Sequence, residues 1–356
     1  MRLTQLLLPA FFYLLFVEVT IAQKWQTEIA SGLDFSGLLQ INPKAGAGDS
    51  QIGIGGAFSV NANYIGARRD RKSWQNSLSV NYGIQKTGFG TVGNTEIEAP
   101  FAKSVDQLRI NSKFGYRLSK TSPGYKFLLT ADFSFLTQLS KTYEGNFLSE
   151  PNVMLTNGKE LPPISNFLSP ATTFFSLGMD YQVSDQLSIY LSPGAIKAII
   201  VKDDEIAQQS TQIYDDRQLV AIHGNPLETE TVIDGNGNTL LFPKSYKNVD
   251  FQFGSLLRIT YKDAYLNDRL FISSNISAYS NYLRDPHRID IDWVNEISAK
   301  IAGGFSVSLW TNLFYDYDVP VQKTENFILI DNTYKRGVSF STQLLIKYSR
   351  TFGDDT

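Results

Sequence analysis

Apolar and polar residues alternate along most of this chain, in segments of about 13 to 16 residues that recur from Trp25 to Phe352, longer than the usual strands of globular sheets. Successive side chains of a β-strand point to opposite faces, so each segment can present one face to lipid and the other to water. A closed barrel also leaves no backbone group unpaired in hydrocarbon. The pattern therefore predicts an all-β fold, a transmembrane antiparallel up-and-down β-barrel.

The alternation predicts about twelve strands, and it is compatible with ten to fourteen. Two further runs are ambiguous: 229–242, which resembles an extra hairpin above the membrane, and 327–330. The predicted strands are 27–41, 51–65, 73–87, 104–118, 125–140, 172–183, 187–202, 248–262, 269–284, 289–301, 305–318 and 337–352.

Short and long connections alternate between these strands, as periplasmic turns and external loops do in outer-membrane barrels. An even strand number then predicts that both termini are periplasmic. The short link at 285–288 is the exception, because its position is external. A large soluble β-sandwich or barrel is the alternative. Strand length, alternating loop length and one uninterrupted series of strands all weigh against it.

The N-terminal segment has the features of a secretory signal. Arg2 precedes an apolar run from Leu6 to Val17, and Thr20 and Ala22 are small residues before the expected cleavage point. This run is too short to span a membrane as a helix. We predict a cleaved signal at 1–22 and a single barrel domain at 23–356, in the outer membrane of a Gram-negative bacterium. The mean hydropathy is -0.16, which agrees with a barrel in which about half of the strand residues face water.

Composition excludes several functional classes. The chain has no cysteine, which removes disulfides, thiolate metal sites, a cysteine nucleophile and a lipidated N-terminal cysteine. A net charge of -3 without a basic tract gives no sign of nucleic-acid binding. The glycine-rich strings lie in predicted loops and indicate no nucleotide site. Aromatic residues make up 13% of the chain, as expected if aromatic girdles lie at both lipid interfaces.

Several segments resemble a family of uncharacterised outer-membrane proteins from Bacteroidota, known as domain of unknown function 3078. The resemblance implies a barrel in the outer membrane and implies no known activity. The segments are GIGGAFSVNANYIGARRDRKSWQNSLSVNYGIQKTG, ISNFLSPATTFFSLGMDYQVSDQLSIYLSP, SNYLRDPHRIDIDWVNEISAKI and NLFYDYDV.

Two histidines limit the catalytic options: His223 in the longest loop and His287 in the DPHR link. An outer-membrane phospholipase needs a serine and a histidine together on the lipid-facing side of the barrel. Neither histidine lies in a predicted strand. We therefore predict no enzyme activity, no catalytic residue and no cofactor.

Four aspartates form a predicted acidic cluster at the external mouth. Asp290 and Asp292 begin one strand, and Asp316 and Asp318 end the next, so the two pairs lie opposite each other. Like charges across a strand pair are destabilising, so the cluster needs a partner. The favoured partner is Arg284, Arg288 or Lys300, and the alternative is a bound Ca²⁺; we predict no metal.

The predicted lumen carries charges of both signs. They either pair and plug the interior or line a narrow aqueous path for a small polar solute, and about twelve strands leave that choice open. We predict passive transport or binding of such a solute. The alternative is a docking barrel whose long loops, notably 203–247, bind an extracellular protein partner. The lumen-lining candidates are Asp34, Arg109, Lys113, Arg117, Lys126, Asp132, Asp250, Arg258, Lys262 and Lys347.

Overall fold

The structure, a computed structural model, describes most of the chain from Trp25 to Phe352. The described residues are 25–41, 51–64, 71–85, 89–92, 95–98, 101–119, 126–143, 147–149, 163–209, 211–213, 219–221, 229–233, 239–302, 304–317, 319, 321–325 and 328–352. The predicted signal at 1–22 lies outside them.

Twenty strands are described, and most of them are long and regular. In chain order they are β1 Trp25–Ile41, β2 Gln51–Tyr64, β3 Lys72–Gln85, β4 Phe89–Val92, β5 Thr95–Glu98, β6 Ala102–Arg117, β7 Phe127–Thr137, β8 Ala171–Gln182, β9 Leu187–Ile200, β10 Thr211–Ile213, β11 Leu219–Ala221, β12 Thr229–Ile233, β13 Thr239–Pro243, β14 Val249–Tyr265, β15 Leu270–Asn281, β16 Ile289–Ala302, β17 Phe305–Tyr315, β18 Val321–Glu325, β19 Ile328–Lys335 and β20 Ser339–Phe352.

The twelve long strands form one closed antiparallel barrel in the order β1-β2-β3-β6-β7-β8-β9-β14-β15-β16-β17-β20. Each barrel strand pairs with the barrel strands before and after it in the chain. The ring closes where β20 pairs with β1, with Phe352 opposite Ile29 and Phe340 opposite Ile41. The predicted fold and the predicted number of twelve strands are confirmed.

The eight short strands form four hairpins, β4-β5, β10-β11, β12-β13 and β18-β19, within the long connections. The hairpin β12-β13 confirms the extra hairpin predicted at 229–242, and β19 includes most of the second ambiguous run. A short helix, α1 (Asp204–Gln209), follows β9. No described helix is both long enough and apolar enough to cross a membrane.

Three strands end three residues earlier than predicted: β7, β17, and β15, which stops at Asn281 rather than at 284. The strand β7 stops at Thr137 because the carboxylate of Asp106 accepts hydrogen bonds from the backbone N–H groups of Leu139, at 2.7 Å, and Ser140, at 2.9 Å. These groups are then unavailable to the sheet. Likewise, β17 ends at Tyr315 rather than at 318.

Connections of different length lie at opposite ends of the barrel. The short ones follow β2, β6, β8, β14 and β16, and the long ones contain the four hairpins. The predicted alternation holds for most connections, but at the long-loop end the link 282–288 is short, and the connection 42–50 is no longer than 118–126 at the other end. The first residue of β1 and the last residues of β20 lie at the short-turn end.

Large apolar side chains cover the outside of the barrel. Leu33 is 59% exposed, Leu129 57%, Leu191 55% and Phe251 56%, which is far more than apolar side chains usually expose. At the short-turn end, aromatic rings contact one another across neighbouring strands. These contacts are Trp25–Tyr64, Trp25–Trp74, Trp74–Phe114, Phe127–Tyr181 and Phe305–Tyr348. The outer surface therefore has an apolar band with an aromatic girdle.

Two glycines let strands approach closely where the register shifts. The pairing of β8 with β9 shifts between Leu177 and Met179, around Gly178, and the pairing of β14 with β9 shifts next to Gly254. A Cβ at Gly254 would lie 1.8 Å from the carbonyl oxygen of Ser280, and one at Gly178 would lie 2.2 Å from that of Leu191. Only glycine fits such backbone contacts.

Replacing Gly254 by alanine is expected to destabilise the barrel by about 1–3 kcal/mol, because the methyl group forces the β14 and β15 backbones apart. Gly194→Ala is the matched control, since its Cβ would only touch the Phe253 ring at 4.0 Å. Urea unfolding in detergent, followed by circular dichroism, measures both variants. Equal midpoints for the two would contradict the steric argument.

Candidate lumen site

Ion pairs between strands that are not neighbours identify the inner face of the barrel. The guanidinium of Arg258, on β14, lies 2.5 Å from the carboxylate of Asp132, on β7, although β8 and β9 separate these strands. Lys113, on β6, lies 2.5 Å from Asp180, on β8. Side chains on the outside of a closed ring diverge, so such pairs can form only inside it. These four side chains therefore face the lumen.

Lumen-facing residues differ in size around the wall. A buried cluster of Tyr190, Ala195, Leu256 and Tyr279, with Phe174 packed against it, lies on β8, β9, β14 and β15. Directly paired residues share a face, and Tyr190 pairs with Arg258, which places the cluster inside. Small residues line much of the inner face of β2 and β3: Gly55, Ala57, Ser59, Ser77 and Ser79. The inner faces of β17 and β20 mix serines with the larger Trp310, Phe314 and Leu345.

Lys197 joins the acidic residues at the long-loop end. Its ammonium group on β9 lies 3.6 Å from the carboxylate of Asp290 and 3.9 Å from that of Asp316. The same group lies 5.4 Å from the ring centre of Tyr279 and 5.8 Å from that of Phe174. Positive charge is stabilised over aromatic faces as well as beside carboxylates. Lys197 thus offsets the repulsion between the two aspartates.

Sequence reasoning did not identify Lys197 or Asp180. Lys197 is the single charge in the β9 segment, at an alternate position among apolar residues. Asp180 occupies the same kind of position in β8. In a barrel strand an isolated charge at such a position marks the lumen face, and this signal could have found both residues.

The other members of the predicted acidic cluster have different surroundings. The carboxylate of Asp292 is exposed and accepts a hydrogen bond from the side-chain amide of Asn312 at 2.5 Å. Asp318 lies outside the described residues. Within the part of the chain that the structure describes, no group of three or more His, Cys, Asp or Glu side chains is placed to hold a metal ion.

The basic side chains expected near the cluster make these contacts. Arg284 lies 3.8 Å from the carboxylate of Asp250, which Lys247 also contacts. Arg288 lies 2.6 Å from Asp285, within the same link. Lys300 lies at the short-turn end, with its ammonium group 4.6 Å from the ring centre of Phe271.

Of the remaining lumen candidates, Lys347 pairs with Glu296 of β16 at 2.8 Å, and Arg117 donates to the side-chain oxygen of Gln182 at 2.8 Å. Lys126 precedes β7 and donates to the carbonyl oxygen of Val183 at 2.7 Å. Lys262 is exposed near the end of β14. The backbone of Asp34 pairs with that of Lys347, but the side chain of Asp34 lies outside the described part.

Arg109 differs from the other lumen cations. It is on β6, pairs with Ser79 of β3 and has an exposed side chain, although it faces the barrel interior. No ion pair or hydrogen bond joins its guanidinium to another described residue. The charges of Asp292 and Arg258 act on it. On the other side of Arg109, Leu136 of β7 is its direct neighbour on the same face.

His287 is exposed in the link 282–288, outside the barrel strands, and His223 is not among the described residues. What the lumen offers is a set of fixed charges of both signs, several of them partly accessible. Such a set can orient or bind a polar solute.

Comparison with known proteins finds one matching protein family and several similar outer-membrane proteins of known structure. A family described as protein of unknown function (DUF3078) matches residues 40–143, the N-terminal part of the region that resembled this family in sequence. No curated protein matches the chain.

The chain is similar to solved structures of outer-membrane proteins. The translocator domain of autotransporter NalP from Neisseria meningitidis is 9% identical, with a TM-score of 0.36, over 97% of this chain and 94% of that one. An outer-membrane channel from Pseudomonas putida F1 is 9% identical, with a TM-score of 0.35, over 92% and 95%. The NanC porin is 8% identical, with a TM-score of 0.34, over 89% and 98%.

Proposed function

We propose that this protein is an outer-membrane β-barrel that passes or binds small polar solutes through a lumen of mixed charge. The observation that carries the proposal is the arrangement of the interior. Its charged side chains pair across strands, as Arg258 does with Asp132 and Lys347 with Glu296, while small residues line the inner face of β2 and β3. An interior filled by paired charges and large side chains all around would be a plug, whereas a stretch of wall lined by small residues leaves a path.

The outer surface supports the membrane location. Leucine and phenylalanine side chains more than half exposed, all around a barrel, suit hydrocarbon and would be an aggregation hazard in water. Aromatic rings at one end suit the lipid–water interface. We include in the proposal the signal at 1–22, the periplasmic position of both termini and the bacterial phylum that the sequence resemblance indicates.

The electrostatic design supports a solute that is polar. The side chains of Lys113, Arg258 and Lys347 are 28%, 23% and 33% exposed, so each retains contact with the lumen while its carboxylate partner holds it in place. Because these side chains are already held in place, they need little rearrangement when a solute binds. An apolar solute would gain nothing from them.

A docking role is the second candidate, and the connection after β9 favours it. Val201, Ile206 and Ala207 form a small buried cluster at the root of this connection. Asp203 accepts a hydrogen bond from the backbone of Glu205 at 3.1 Å at the start of α1. A loop with its own core and two hairpins can present a defined surface to a partner.

In planar bilayers, folded protein is expected to give stepwise conductance. Ala57→Trp should roughly halve the conductance, because Ala57 faces the lumen and is exposed there. Leu129→Trp, on the outer face, is the matched control and should leave conductance unchanged. Folded protein without any conductance would rule out an open pore.

Removing the guanidinium of Arg258 tests the paired part of the wall. Arg258→Met leaves the carboxylate of Asp132, only 7% exposed, without its charge partner, and should lower the free energy of unfolding by about 1–3 kcal/mol. Lys347→Met is the control, because its partner Glu296 is 36% exposed and keeps its water. Urea titration in detergent compares them, and an equal loss in both variants would argue against a structural role for the Arg258 pair.

Deletion of residues 210–243 tests the docking role, since it removes both hairpins and keeps α1. If this loop binds an extracellular protein, a pull-down with the deleted barrel should lose that partner. A barrel lacking only the hairpin β4-β5 serves as the control. Identical partners for all three proteins would remove the reason for this candidate.

A further inference from the structure

The strands β6 and β16 face each other across the lumen, because they are six places apart in the ring of twelve. The inner face of β6 carries Arg109, Lys113 and Arg117, one cation at every fourth residue. The inner face of β16 carries the anions Asp290, Asp292 and Glu296. A basic strand therefore stands opposite an acidic one.

Ion pairs with other strands offset three of these six charges. Lys113 pairs with Asp180, Asp290 with Lys197, and Glu296 with Lys347. Each of these pairs attracts a charged solute less strongly than an unpaired charge would, because its two charges act in opposite directions.

Arg109 and Asp292 are different. Among the described residues neither takes part in an ion pair, and both side chains are exposed inside the barrel. The one hydrogen bond described for the Asp292 carboxylate comes from a neutral amide, that of Asn312. The charge of Asp292 acts on Arg109 across the lumen, while Arg258 adds positive charge near Arg109. A cation on one wall thus faces an anion on the other, and neither has an ion-pair partner on its own wall among the described residues.

We infer that Arg109 and Asp292 bind the two ends of small zwitterions, molecules that carry both a carboxylate and an ammonium group. The inference rests on the proposed function, since it names the solute class for the same lumen. The carboxylate of the solute lies toward Arg109 and its ammonium group toward Asp292. A simple anion or cation is attracted by one wall and repelled by the other, and a neutral solute gains little from either.

The test compares alanine, a zwitterion, with lactamide, its neutral analogue of almost the same size, in liposome-swelling assays. The measured quantity is the entry rate of alanine divided by that of lactamide. We expect this ratio to be about threefold higher for the unmodified protein than for the double variant Arg109→Gln/Asp292→Asn, an effect of the size that contacts between solvated charges give. Arg288→Gln/Asp285→Asn is the matched control. It also removes one cation and one anion, but from an ion pair in the link 282–288, outside the barrel strands, so the ratio should not change.

Ion selectivity provides a second readout that a steric or folding defect would not reproduce. Arg109→Gln alone should shift the reversal potential toward cation selectivity, and Asp292→Asn alone toward anion selectivity. The double variant should return to the original value while its preference for alanine stays lost. The swapped variant Arg109→Asp/Asp292→Arg should keep the preference, because a zwitterion can enter in the reverse orientation.

The outcomes separate this inference from the proposed function. If lactamide enters and the ratio of alanine to lactamide entry rates is the same for Arg109→Gln/Asp292→Asn as for the unmodified protein, the zwitterion inference is wrong and the proposed pore still stands. Failure of both solutes to enter through folded, unmodified protein would overturn the proposed pore, and the zwitterion inference with it.

Discussion

Closure of the hydrogen-bonded ring between β20 and β1 is the constraint on which the rest of this structure depends. Every barrel strand has a partner on each side, so no strand edge is left with unpaired backbone groups. With the backbone paired within the ring, the side chains divide strictly into an outer and an inner set. The apolar surface and the charged lumen are two consequences of the same closure.

The side chains on the inner face then occupy a confined, polar space. Charges on inner faces have access to little water, so they are stable mainly where an opposite charge from another strand reaches them. The pairs of Arg258 with Asp132 and of Lys113 with Asp180 show this, since both skip intervening strands. They also stiffen one side of the wall, where the cluster around Tyr190 and Tyr279 fills the remaining space.

Alternation along the sequence was sufficient to predict the barrel, the twelve strands and the end at which each connection lies. These features depend on neighbouring residues only. The partners of the lumen charges depend on which strands face each other after closure, and on the vertical offset between them. Lys197 contacts Asp290 and Asp316, which lie 93 and 119 residues later in the chain, and no local pattern specifies these contacts. The early end of β7, set by Asp106, is a tertiary effect of the same kind.

Two lumen charges have no ion-pair partner among the described residues. Arg109 lies between Ser79 of β3 and Leu136 of β7. Asp292 lies between Ser277 of β15 and Phe314 of β17 and accepts a hydrogen bond from Asn312. For both charges, the opposite charge that acts on them is on the far side of the lumen. A charge left without a partner on its own wall is then held in the path of whatever crosses the barrel, and this links the packing of the interior to its selectivity.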